Sequence, residues 1–159
     1  MSESALYGRF FQIGYVTRDI DLALAHLTRR MGARQLDVLR DFRPGGNRVE
    51  ILHLAHMSLP GVEIEVIQPR LDWPSIYLGA LPDGNGEVGF HHLGFMLPDL
   101  AAWDRAMSSL EAMQTPVVMQ GTSPAVRFAY IDTRRRAGHY SELVYRATTP
   151  GIEPSLMAR

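Results

Sequence analysis

Two pairs of side chains able to bind a metal ion recur along the chain at nearly constant spacing. The segment Gln-Ile-Gly-Tyr that starts at Gln12 is echoed 80 residues later by His-Leu-Gly-Phe, which starts at His92. Glu65 in Val-Glu-Ile-Glu-Val-Ile is echoed 77 residues later by Glu142 in Tyr-Ser-Glu-Leu-Val-Tyr. Self-similarity at a fixed offset indicates a duplicated unit. Each copy therefore opens with a candidate metal ligand and closes with a carboxylate.

The chemistry of these four residues predicts a site for a divalent cation. Side chains alternate between the two faces of a strand, so the polar residues of these segments share one face and the apolar residues the other. Two glutamates facing a common cavity need a cation or full solvation, because an uncompensated buried charge is costly. One imidazole, one amide oxygen and two carboxylates suit Mg, Mn, Co, Ni or Zn. The predicted ligands are Gln12, Glu65, His92 and Glu142.

Each of these residues also has a structural interpretation. His92 could be a buried structural histidine, and the Gln12 amide could hydrogen-bond a neighbouring strand instead of a metal. Glu63 lies on the same strand face as Glu65, and we interpret it as a solvated strand end. The matching place of Glu65 and Glu142 in both copies favours the metal site, since a solvated sheet edge does not explain that match.

The elements that position these residues follow the order βαβββ, twice. Asp19 and Asp99 are predicted helix caps, and Gly32 suits the end of the first helix. Predicted strands cover residues 10–16, 34–39, 48–56, 62–67, 91–96, 116–119, 126–132 and 141–146. Predicted apolar helix stripes are Ile20, Leu24, Leu27 and Met31, then Leu100, Trp103, Met107 and Leu110. We predict one domain with modules at residues 10–69 and 89–147, a connection at 70–88, and tails at 1–9 and 148–159.

Composition excludes several classes of function. The 159 residues include no cysteine, so disulfides and thiolate chemistry are excluded, and all 16 cationic residues are arginine, so lysine chemistry is excluded too. A net charge of −1 gives no support for nucleic-acid binding. No stretch is apolar enough to predict a signal peptide or a membrane span. We therefore expect a cytoplasmic protein with no membrane partner.

With these motifs, the chain resembles the vicinal oxygen chelate superfamily, which includes glyoxalase I, extradiol dioxygenases and the bleomycin resistance proteins. The resemblance covers about residues 10–146. The segments Glu-Val-Ile-Gln-Pro from Glu65, Gly-Phe-His-His-Leu-Gly-Phe from Gly89 and Ser-Glu-Leu from Ser141 are most similar to the methylmalonyl-CoA epimerase branch. The resemblance implies an α+β fold, in which paired βαβββ modules form a curved mixed β-sheet around a metal-containing cavity, and a homodimer.

The resemblance also implies a reaction and further site residues. It places metal ligands at Gln12, Glu65, His92 and Glu142, and a catalytic glutamate at Glu50. The epimerase branch usually has histidine at the position of Gln12 and commonly glutamine at that of Glu65; the set found here is similar to that of eukaryotic glyoxalase I. The implied chemistry is proton transfer at the carbon next to a carbonyl or acyl thioester, with Glu50 and Glu142 as proton carriers on opposite sides of the substrate.

Several assignments stay open at this level. A glyoxalase-type lyase and a non-catalytic, ligand-sequestering protein of the same fold are alternatives to the epimerase. Trp73 and Tyr77 are predicted either to contact the substrate as part of a lid or to pack between modules. His56 is predicted to share a strand face with Glu50 and to be solvent-exposed. The run Arg134–Arg136 predicts a solvated turn, with phosphate binding as the alternative.

Overall fold

A computed structural model describes residues 6–41 and 50–147, which contain eight β-strands and three α-helices. The elements are β1 (Arg9–Val16), α1 (Ile20–Met31), β2 (Arg34–Leu39), β3 (Ile51–Leu59), β4 (Val62–Pro69), β5 (Gly89–Met96), α2 (Leu100–Ala112), β6 (Val117–Thr122), β7 (Val126–Ile131), α3 (Arg134–Ala137) and β8 (Tyr140–Arg146). A 3-10 turn at Leu78–Ala80 precedes β5. Within the described ranges, no helix is long and apolar enough to cross a membrane.

Some predictions fall outside the described residues. These are residues 1–5 of the predicted N-terminal tail, residues 48 and 49 at the start of the predicted third strand, and the predicted C-terminal tail at 148–159. In the described part, the order βαβββ occurs twice, as predicted, and the short helix α3 between β7 and β8 is an addition that the sequence pattern did not predict.

The chain divides into two compact units. The N-terminal unit comprises residues 12–91, and the C-terminal unit comprises residues 1–11 and 92–159. In the N-terminal unit the strand order is β2-β3-β4-β1, with β1 parallel to β4 and the other neighbours antiparallel. In the C-terminal unit the order is β5-β8-β7-β6, with β5 parallel to β8. The α+β class with a mixed sheet and duplicated modules is therefore confirmed.

Both long helices begin at the predicted caps. The Asp19 carboxylate accepts a hydrogen bond from the backbone N–H of Leu22, and the Asp99 carboxylate accepts one from that of Ala102. Helix α1 ends at Gly32, whose φ of 68° is the left-handed conformation that glycine adopts without strain. These local signals therefore determine where the helices lie in the chain.

Each helix packs its apolar face on the sheet of its own unit. The α1 core comprises Ile20, Ala23, Leu24 and Leu27, packed with Ala55, Met57, Ile64 and Val66. The α2 core comprises Trp103, Ala106 and Leu110, packed with Ala129, Ile131 and Leu143. The predicted stripes were wrong at their ends, because Met31 and Leu100 are exposed. Both are the terminal residues of their helices, Met31 the last of α1 and Leu100 the first of α2.

Candidate functional site

The predicted ligands occupy equivalent strand positions in the two units. In the N-terminal unit, Gly14 of β1 pairs with Glu65 of the parallel strand β4, and in the C-terminal unit Gly94 of β5 pairs with Glu142 of the parallel strand β8. Paired residues on adjacent strands project to the same face, and so do residues two apart on one strand. Gln12 and His92 each lie two residues before the paired glycine. Each unit therefore places one predicted ligand pair on a single face of its sheet.

All four predicted ligands are removed from solvent. The exposed fractions are 2% for Gln12, 9% for Glu65, 0% for His92 and 5% for Glu142. Acidic side chains are rarely buried to this degree unless they are paired or bind a metal ion. The interpretation of Glu65 and Glu142 as residues of a solvated sheet edge is therefore wrong.

The amide of Gln12 is held in one orientation by a neighbouring carboxylate. Gln12 Nε2 donates a hydrogen bond to Glu63 Oε1 at 2.6 Å, between residues that pair directly across β1 and β4. The nitrogen is turned toward Glu63, and of the two amide atoms only the oxygen has lone pairs to offer a cation. Because Glu63 accepts this hydrogen bond and is half-buried, the interpretation of Glu63 as a solvated strand end was wrong. Gln12 and Glu63 are 51 residues apart in the sequence, so no local pattern shows their contact.

His56 links two carboxylates of the N-terminal unit. Its Nδ1 lies 2.9 Å from Asp37 Oδ1, and its Nε2 lies 3.5 Å from Glu65 Oε1. Burial lowers the pKa of His56, but the hydrogen bonds to Glu65 and Asp37 outweigh burial and raise the pKa to about 9. The charged imidazole therefore offsets part of the negative charge of Glu65 and restrains its carboxylate.

A similar contact exists in the C-terminal unit. His92 Nε2 lies 3.4 Å from Glu142 Oε2. The ring of Tyr130 stands perpendicular to the His92 imidazole, with the two centroids 5.1 Å apart, and Tyr130 is the antiparallel partner of Glu142 in the sheet. Tyr130 is fully buried, so it restricts the positions that the imidazole can adopt. Each candidate ligand glutamate thus lies beside an imidazole of its own unit.

Glu50 lies directly before β3 and is 8% exposed. Its backbone carbonyl accepts a hydrogen bond from Arg70 N at 2.8 Å, which holds the start of β3 against the end of β4. The register of β3 shifts between Ile51 and His53, so the alternation of faces is interrupted there. The predicted common face of Glu50 and His56 is therefore not supported by strand alternation. The catalytic role of Glu50 stays a prediction.

The predicted substrate contacts differ in accessibility. Trp73 is half-exposed, whereas Tyr77 is fully buried and its ring lies 4.9 Å from that of His91, centroid to centroid. His91 Nε2 is also 3.2 Å from the carbonyl oxygen of Ile76. Tyr77 and His91 thus belong to the packing of the N-terminal unit. Substrate contact stays a prediction for both Trp73 and Tyr77, and of the two Trp73 is open to solvent.

Comparison with solved structures shows that chains of this fold include methylmalonyl-CoA epimerases. The epimerase from Mycobacterium tuberculosis is 20% identical, with a TM-score of 0.68, and the match covers 93% of this chain and 94% of that one. A variant of the Streptomyces coelicolor epimerase, in complex with 2-nitronate-propionyl-CoA, is 16% identical with a TM-score of 0.65, covering 89% and 99%. A methylmalonyl-CoA epimerase in complex with methylmalonyl-CoA and an ammonium ion is 16% identical with a TM-score of 0.66, covering 89% and 96%.

Sequence comparison gives the family. No curated protein sequence matches the chain. A family model described as Glyoxalase/Bleomycin resistance protein/Dioxygenase superfamily matches residues 11–130, which include both βαβββ modules up to β7. The chain therefore belongs to the glyoxalase/bleomycin resistance protein/dioxygenase superfamily.

Proposed function

We propose that the protein is a metal-dependent epimerase or isomerase that moves a proton at the carbon next to a carbonyl, with an acyl-CoA thioester as the substrate to test first. The metal ligands are Gln12, Glu65, His92 and Glu142. The solved epimerases of the same fold support this choice of substrate, and two of them hold CoA thioesters.

The observation that carries the proposal is the equivalent burial of Glu65 and Glu142. Each is opposite a glycine on a parallel strand and within 3.5 Å of an imidazole. In each unit, one buried carboxylate accompanies one neutral donor, Gln12 or His92, that lies two residues before the paired glycine. The set also fits by its chemistry, since two carboxylates, an imidazole and an amide oxygen are the ligands that borderline divalent cations accept.

When bound, a divalent ion would stabilise the negative charge that develops on the substrate carbonyl oxygen as the adjacent carbon loses its proton. The residues of the chain move the proton. Epimerisation requires removal from one face and return to the other, so two carboxylates are needed. Glu50 and Glu142 are the pair that we assign to this task, and the burial of both keeps bulk water from competing for the proton.

Two measurements test this assignment separately. Elemental analysis should find about one divalent ion per chain in the protein and none in Glu142→Gln. Deuterium uptake at the α-carbon of methylmalonyl-CoA in D2O should be fast with the wild-type protein. Glu50→Gln should retain the metal ion and lose at least about 100-fold in exchange, which is the usual contribution of a general base.

Other outcomes lead to other functions. If metal is bound but no acyl-CoA exchanges, and a hemithioacetal of glutathione is isomerised instead, the protein is a glyoxalase-type lyase. If Co, Ni, Mn and Zn all fail to bind, the enzymatic proposal is wrong. A ligand-sequestering protein would then be the remaining function.

A further inference from the structure

A cavity in the C-terminal unit is lined by none of the predicted ligands. Its volume is about 910 Å³, and its walls come from the loop Met113–Pro116 after α2, from Tyr7, and from the segment Asp132–Arg136. Cavities that hold small organic ligands are commonly about 300–1,000 Å³ in volume. The space is therefore larger than a bare inorganic ion needs.

The charge of this cavity, which we call the arginine groove, is unbalanced. Three arginines and one aspartate line it, and the other residues in its walls are uncharged. Arg134 is paired with Asp132 through Nε–Oδ1 and Nη2–Oδ2 contacts of 2.9 and 2.7 Å. Among the described residues, no carboxylate forms an ion pair with Arg135 or Arg136. The groove therefore has an excess of two positive charges.

Arg134 is held in place on one side of the groove by two contacts. The Arg134 guanidinium lies 4.6 Å from the centroid of the Tyr140 ring, so it is held both by Asp132 and by an aromatic face. Helix α3, which carries Arg134, Arg135 and Arg136, ends at Gly138 with a φ of 82°. The segment that presents the two unpaired guanidinium groups is thus anchored on a short helix.

Neutral side chains complete the lining. Tyr7, Gln114 and Thr115 bring a hydroxyl, an amide and a second hydroxyl, all able to donate hydrogen bonds to an anion. Burial raises the pKa of Tyr7, so its hydroxyl keeps its proton at neutral pH. Met113 and Pro116 add apolar surface that an organic group can cover. Guanidinium forks match the oxygens of a phosphate group, and two unpaired forks match a dianionic phosphate or a diphosphate.

We propose that the arginine groove binds a phosphate-bearing small molecule through Arg135 and Arg136. Tyr140, which contacts Arg134, is two residues before Glu142 on β8, about 7 Å along the strand. The phosphate can belong to the handle of the substrate, an assignment that rests on the proposed function, or to a separate phosphate ligand. The phosphate chemistry is the same in both cases.

The test measures the binding of inorganic pyrophosphate by isothermal titration calorimetry. Wild-type protein should bind it, and Arg135→Gln/Arg136→Gln should bind at least about tenfold more weakly, because the change removes both unpaired forks. Arg29→Gln/Arg30→Gln is the matched control, since it removes two adjacent exposed arginines from the last turn of α1. This control should bind like wild type.

A further variant and an activity assay complete the design. Arg135→Lys/Arg136→Lys keeps the charge and should retain part of the affinity, which a misfolded variant would not do. Equal affinity of wild type and the glutamine double variant, or no binding by wild type at millimolar pyrophosphate, overturns the proposal. If pyrophosphate also raises the KM for an acyl-CoA without changing kcat, the groove holds the substrate's phosphates; unchanged KM identifies a separate ligand. Pyrophosphate binding is read without any turnover, so it stands or fails independently of the proposed function.

Discussion

Glu63 is not a predicted metal ligand, but we expect it to influence the metal affinity of the site by orienting the amide of Gln12. It accepts a 2.6 Å hydrogen bond from Gln12 Nε2, and Gln12 is only 2% exposed. A hydrogen bond to a charged group contributes about 1.5–3 kcal/mol. Glu63→Leu removes this acceptor, so the amide can turn its nitrogen toward the position of the metal. Loss of such an outer contact typically lowers metal affinity about 10–100-fold, equivalent to about 1.4–2.7 kcal/mol.

The assay is competition for Co or Zn against a chromophoric chelator. Glu63→Gln keeps an acceptor oxygen at the same place and should lose less affinity than Glu63→Leu. Glu111→Leu, at an exposed position of α2, is the control for an unspecific effect of the substitution. In a background of Gln12→Ala, Glu63→Leu should have little further effect, because the two residues act as a unit. Unchanged affinity in Glu63→Leu alone would refute this reasoning.

Three further predictions concern stability. The pKa of His56 is raised to about 9, so its charge stabilises the metal-free protein fully below about pH 6.5. This contribution, at most about 3 kcal/mol, is lost as the pH rises through about 9. Denaturant unfolding of His56→Gln should lack this pH dependence. Tyr77→Ala should cost about 3–5 kcal/mol because the ring is fully buried, whereas Trp73→Ala should cost less than about 1 kcal/mol. Gly89→Ala would place Cβ 1.7 Å from the backbone carbonyl oxygen of Ala80 and should lower the free energy of unfolding by about 3 kcal/mol or more. In Gly79→Ala the added Cβ meets no atom within 4 Å, so this control should melt close to wild type.

The sequence predicted much of the fold because the signals involved are local. Asp19 and Gly32 determine the ends of α1 through hydrogen bonds and backbone preferences of adjacent residues. Strand β2 was predicted at its observed bounds. The β3 bulge between Ile51 and His53 was not predicted, since an extra residue in a ladder becomes visible only when the partner strand is in place.

The site divides in the same way. The duplicated spacing by itself determined that Gln12 and His92 would correspond, as would Glu65 and Glu142, and the observed register places both glutamates opposite equivalent glycines. Three contacts around these residues were decided only by tertiary structure: the Glu63 contact with Gln12, the Asp37–His56–Glu65 chain, and the Tyr130 ring beside His92. The arginine groove, which lies apart from them in the C-terminal unit, was also decided by tertiary structure. Spacing in one chain shows which residues share a strand face. It does not show which side chains meet across strands that are far apart in sequence, because that depends on pairing, register and burial of the folded chain.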